Sequence, residues 1–66
     1  MIDQPTTADV LAAAEALIER AGITATAAGR YIAADPKLIF DLRKGRRLRP
    51  STAQAFARRI AEHPAK

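Results

Sequence analysis

A chain of 66 residues has room for one small hydrophobic core and no second domain. Half of its apolar residues are alanine, which leaves too few large side chains to wall off a deep pocket, and with no cysteine and one histidine, His63, thiolate or His-rich metal sites, disulfides and cysteine nucleophiles are excluded. The net charge of +4 is divided as −3 over residues 1–29 and +7 over residues 30–66, so the second half is either a solvated basic surface or one facing a polyanion.

Residues 1–5 read as a disordered lead-in. They show no basic segment of a signal peptide. The longest apolar run, Val10 to Ala14, is far short of the ~20 residues that cross a membrane, so a cytoplasmic location without a membrane partner is expected. The first helix starts at Thr6 or Thr7, where Thr6 and Asp9 have capping-box spacing. Val10, Ala14, Leu17 and Ala21 repeat at helical spacing, Leu11 and Ile18 widen the stripe, and Gly22 closes the helix. Glu15 and Glu19 share a face, as a solvated pair or an acid/base pair.

A second helix spans about residues 24–32, with Thr24 as its N-cap and Ile23, Ala28, Ile32 and Tyr31 on its inward side. Gly29 inside it costs ~1 kcal/mol relative to alanine, which asks for a packing reason such as a closely crossing helix. Asp35-Pro36 is a compact helix start, and a third helix is expected over residues 36–44, ending at Gly45. A loop from Arg46 to Pro50 leads to Ser51, which with Gln54 has capping-box spacing. Ala53, Phe56, Ala57, Ile60 and Ala61 then form the stripe of a fourth helix, ended by Pro64, with His63 at a fraying end and residues 64–66 as a tail. No alternating or β-branched run suggests a strand, so the expected fold is all-α, one compact four-helix domain over residues 6–63.

Stepping 100° per residue, Leu38, Ile39 and Leu42 share one arc of the third helix, while Lys37, Phe40 and Lys44 face the other way, flanked by Pro36 and Asp41. A phenylalanine facing water either meets something apolar outside the domain, such as a thymine methyl, or folds back onto Leu48 or into a dimer contact. Five of the seven residues from Arg43 to Arg49 are cationic: Arg43, Lys44, Arg46, Arg47 and Arg49. One or two could serve a helix C-terminus, but five exceed that need, and guanidinium groups grip phosphate.

Ile23, Thr24, Ala28, Gly29, Ile32, Ile39, Leu42, Gly45, Pro50 and Ser51 together resemble the rhythm of the Cro/C1-type helix-turn-helix family, also called lambda-repressor-like or XRE. The resemblance covers about residues 23–60. The run from Asp35-Pro36 through Asp41-Leu42-Arg43 to Gly45-Arg46 is similar to short alphaproteobacterial regulators of that kind. Three departures stand out. The family's turn glycine is replaced by Ala33, so either the turn differs or alanine carries ~1–2 kcal/mol of strain. An early glutamine of the second helix is replaced by Ala25, leaving Thr24 and Thr26 as its substitutes. The loop after Gly45 is long and arginine-rich.

The resemblance implies a third helix in the major groove of double-stranded DNA, with Pro36, Lys37, Phe40 and Asp41 at base edges. Thr24, Thr26, Arg43, Lys44, Arg46, Arg47 and Arg49 would lie at phosphates. Asp41 would accept from a cytosine or hold Lys37, and Arg30 would take a phosphate or pair with an acid. The expected function is a sequence-specific transcriptional regulator, a repressor before an activator. One such helix reads four or five base pairs, so a homodimer is expected, with the C-terminal helix favoured over the first as interface. The alternative is a protein-interaction module of antitoxin or adaptor type on the same fold. An enzyme is not expected, nor any cofactor, metal or small-molecule ligand.

Overall fold

Local capping chemistry sets where the first helix begins. In the computed structural model, which describes residues 5–64, α1 spans Thr7–Ala21. The Thr6 hydroxyl oxygen accepts from the Asp9 N–H at 3.1 Å, and the Asp9 carboxylate accepts from the Thr6 N–H at 3.0 Å. Of the residues read as a lead-in, 1–4 lie outside the described residues. Gly22 ends α1 in the left-handed region at φ 67°. Helix α2, Ala25–Ala33, opens with the Thr24 hydroxyl accepting from the Ala27 N–H at 3.0 Å.

The turn after α2 departs from the expectation at Ala33. The left-handed residue is Ala34, at φ 53°, and Ala33 stays helical. The Ala34 N–H bonds back to the Arg30 carbonyl at 2.9 Å, closing the last turn of α2 and leaving Ala34 to reverse the chain. A Cβ in that conformation costs ~1–2 kcal/mol, part of which glycine's looser unfolded state offsets. Ala34→Gly is therefore expected to raise stability by about 0.5–1 kcal/mol and Tm by roughly 2–8 °C in a thermal melt. A lowered Tm would show that Ala34 is unstrained.

Helix α3 is shorter than the expected 36–44: it spans Leu38–Arg43, preceded by a turn at Pro36 and Lys37. Asp35 still organises its start, because its carboxylate accepts from the Lys37 N–H at 2.9 Å and its carbonyl accepts from the Leu38 N–H at 3.1 Å. Gly45, at φ 108°, carries the chain away. Helix α4 spans Pro50–Ala61 with Arg49 at the N-cap and no side-chain cap, so the expected Ser51–Gln54 capping box does not form. Proline takes the first helical position, where its locked φ fits and its missing N–H leaves nothing unpaired, and Ser51 falls inside the helix.

The core joins Val10, Ala14 and Leu17 of α1, Ala28 and Ile32 of α2, Leu38, Ile39 and Leu42 of α3, and Ala53 and Ile60 of α4. Leu17, Leu38, Ile39 and Val10 are wholly enclosed, each contributing about 1.5–3 kcal/mol through burial. Ala61, expected on the inward stripe, is exposed, while Phe56 and Ala57 are half-buried. Helix α1 packs closely on all three other helices and α2 on both α3 and α4, whereas the backbones of α3 and α4 stay more than 8 Å apart at their Cα atoms. On the outer side of α3, Phe40 is exposed, as is Lys44 at the helix end.

Gly29 explains how α2 and α3 come so close. A Cβ placed on it would sit 2.3 Å from the Asp35 carbonyl oxygen and 3.4 Å from the Leu38 Cβ. The turn thus lies directly on the backbone of α2, and the Asp35 N–H donates to the Gly29 carbonyl at 3.2 Å. The fold is all-α with four helices, and no strand occurs among the described residues.

Candidate nucleic-acid interface

Burying Leu38, Ile39 and Leu42 turns the opposite side of α3 outward by helical spacing alone. Phe40 lies on that side, and Lys37 and Lys44 flank the helix at its two ends, all three exposed, with Pro36 exposed in the turn before it. Phe40 is 42% exposed and is the one large hydrophobic residue so exposed among the described residues. It is not among the partly buried side chains packed on the core, whereas Leu48 is.

The loop after α3 is seated from inside. The Leu48 side chain packs on the core, and its N–H donates to the Thr7 hydroxyl at 2.8 Å. Pinning Leu48 leaves its neighbours Arg47 and Arg49 exposed. The side chains of Lys37, Lys44, Arg47 and Arg49 have no ion pair or hydrogen bond to any described residue, so none of their charge is spent on a described acid.

Two of the five clustered cations behave differently. The Arg43 guanidinium forks onto Glu15 of α1, donating from Nε and one terminal nitrogen at 2.7 Å each. Arg46 lies 3.6 Å from both the Asp35 and the Asp41 carboxylates. In the free chain Arg43, expected at a phosphate, is hydrogen-bonded to a carboxylate, and Arg46, also expected at a phosphate, lies at ion-pair distance from two. Asp41, expected on a base or on Lys37, lies 3.6 Å from Arg46 in the free chain and forms no ion pair with Lys37. Glu15 is not merely a solvated partner of Glu19. On α2, Thr24 is exposed with its hydroxyl oxygen accepting the cap bond, Thr26 is half-buried, and Arg30 is exposed without an acidic partner among the described residues.

The Glu15–Arg43 fork makes a pH prediction. The hydrogen bonds from Arg43, aided by its charge and opposed by burial, hold the Glu15 carboxyl below its ordinary value of 4.5, and Arg43 is raised in turn by the hydrogen bonds to Glu15. A carboxyl lowered on folding adds stability that is complete above its unfolded value and is lost as pH falls through its folded value. Glu15→Gln is expected to flatten the fall in Tm between about pH 5 and pH 3. Identical acid limbs in the two proteins would remove that contribution.

The sequence reading missed two pairings that shape this face and a further cluster joining α2 to α4 and His63. Glu15 is 28 residues from Arg43 and Thr7 is 41 from Leu48, and no local spacing signals either pairing. Arg59 of α4 lies over the Tyr31 ring, 4.6 Å from its centroid, and donates to the Tyr31 carbonyl at 3.0 Å. His63, expected at a fraying end, is half-buried, with its ring edge-on to Tyr31 at 4.6 Å. Among the described residues, no helix is long and apolar enough to cross a membrane. Comparison with protein-family models, curated proteins and solved structures finds no match to this chain.

Proposed function

We propose that the chain is a sequence-specific double-stranded-DNA-binding transcriptional regulator of the Cro/C1 helix-turn-helix kind. The observation that carries this reading is the outer face of α3. It combines a water-exposed phenyl ring, two exposed lysines and an adjoining loop with two further exposed arginines, none of the four cations paired with a described residue. A helix with its side chains is about 10–12 Å across, which matches the ~12 Å width of the major groove. The backbone contact at Gly29 supports the helix-turn-helix pairing, since it locks α2 and α3 into one rigid unit.

In this reading Lys37 donates to guanine O6 and N7, and Phe40 meets a thymine methyl. Pro36 lies beside them. Asp41 acts through Arg46, shaping the start of the helix. Lys44, Arg47 and Arg49 take phosphates, with Thr24 and Thr26 as lesser contacts from α2. Three or four base-contacting side chains are too few for one operator, so two copies bind half-sites about 34 Å apart as a two-fold dimer. A domain that only occupies DNA acts most simply as a repressor, in the cytoplasm of a bacterial cell.

The test is selection from a random duplex library titrated in salt, with the bound fraction sequenced. A short palindrome is the expected result. Lys37→Ala should then lose about tenfold or more in preference for the selected site, within the 1–3 kcal/mol of a good base contact, and keep its affinity for generic duplex. Equal loss on both DNAs would show that Lys37 reads no base. No binding even at low salt would replace this proposal with the interaction-module reading, in which Phe40 anchors a protein partner.

A further inference from the structure

The ring of Phe40 is exposed, but one side of it is not free. The Arg43 guanidinium lies over it, 5.7 Å from the ring centroid, one turn further along α3. That same guanidinium is pinned by both carboxylate oxygens of Glu15 at 2.7 Å. An arginine side chain left to itself samples many rotamers, and a planar fork onto a carboxylate removes most of that freedom. A cation held over an aromatic face attracts the ring electrostatically and narrows its swing in turn. The result is a chain of three side chains running from α1 to the outer face of α3.

We infer that Glu15 is a positioning residue for sequence recognition: acting through Arg43, it fixes the orientation in which the plane of the Phe40 ring is presented outward. The inference rests on the proposal that Phe40 contacts a base. It adds that specificity is controlled from α1, by a residue that touches no DNA. A thymine methyl can be buried against a ring whose orientation is set in advance, without the entropy cost of ordering the ring on binding. It also accounts for an arginine in the basic cluster that is not free for phosphate.

The test uses the full chain and the site selected from random duplexes, with each thymine replaced in turn by deoxyuridine, which removes only the C5 methyl. Wild type should prefer thymine about three- to fivefold at one position, the effect of burying one methyl group, and Phe40→Ala should abolish the preference. Glu15→Gln should reduce it below about twofold, as should Arg43→Lys, whose ammonium cannot fork. Glu15→Gln should change nothing further in a Phe40→Ala background. Generic duplex affinity should not fall in Glu15→Gln, because the substitution releases a cation, whereas general damage to the fold would lower both affinities. In the free protein, nuclear Overhauser contacts between the Arg43 side chain and the Phe40 ring should be present in wild type and lost in Glu15→Gln.

If Phe40→Ala loses the preference and Glu15→Gln keeps it in full, the positioning role is overturned and the base contact stands. If wild type makes no distinction between thymine and deoxyuridine at any position, the base contact itself fails and the positioning role falls with it. Overhauser contacts that persist in Glu15→Gln would show that Glu15 does not hold the ring, whatever the DNA result.

Discussion

Gly29→Ala is expected to lower Tm by roughly 10–20 °C. The new methyl carbon would land 2.3 Å from a backbone oxygen, where ordinary contacts between heavy atoms are about 3.5–4.0 Å. The oxygen cannot easily yield. The Asp35 carbonyl accepts from the Leu38 N–H, and the Asp35 N–H donates to the Gly29 carbonyl, so moving the turn away breaks bonds on both sides of it. Overpacking of this kind costs about 1–3 kcal/mol and occasionally more. Alanine's better helix propensity returns about 1 kcal/mol. A steric overlap of more than 1 Å with a backbone atom belongs at the upper end, and a net loss of about 2–3 kcal/mol is expected. For a chain of this size that is a large part of the total stability. Circular dichroism melts read it directly. A Tm within about 3 °C of wild type would show that the turn can shift freely, and the rigid α2–α3 unit would lose its basis.

The second large effect concerns binding. Each neutralised phosphate adds about 0.9 to the slope of log affinity against log salt. Replacing Lys44, Arg47 and Arg49 together by alanine should shallow that slope by up to about 2.7 and weaken generic duplex binding roughly 100- to 500-fold near 0.1 M salt. Arg46→Ala should change the slope by less than about 0.5, because Arg46 is already held between two carboxylates at 3.6 Å. The contrast is the informative part. If all the basic residues contributed equally, binding would follow total charge and the ion pairs seen here would open on DNA. If the triple variant left the slope unchanged, these cations would not meet phosphate at all.

The features legible in the sequence are those governed by short-range chemistry. Thr6 with Asp9, Gly22, Thr24 and Gly45 each act within three or four residues, so their spacing is enough to locate a helix end. Ser51 with Gln54 was misleading because two local signals competed, and the proline one residue earlier took the first helical position. The inward side of α3 was legible for a similar reason: Leu38, Ile39 and Leu42 lie on one arc at any helical pitch close to ideal. The exposure of Phe40 followed from that arc.

The sequence by itself thus determined an all-α chain of four helices, the side of α3 that is buried, and the concentration of positive charge beside it. Only the tertiary structure decided which of those charges are free. Arg43 and Arg46 are indistinguishable from Arg47 and Arg49 as letters in a basic run, and they part company because Glu15 arrives from α1 and Asp35 from the turn. The same holds for Ala34 rather than Ala33 as the reversing residue, since the choice depends on how far α2 must run before its backbone meets Asp35. Helix caps reach over one turn of chain and leave a pattern in the sequence. The Glu15–Arg43 fork joins residues 28 apart, and the shorter-range contacts of Arg46 with Asp35 and Asp41 and of Gly29 with Asp35 depend on how the turns pack, so no helical spacing in the sequence encodes them.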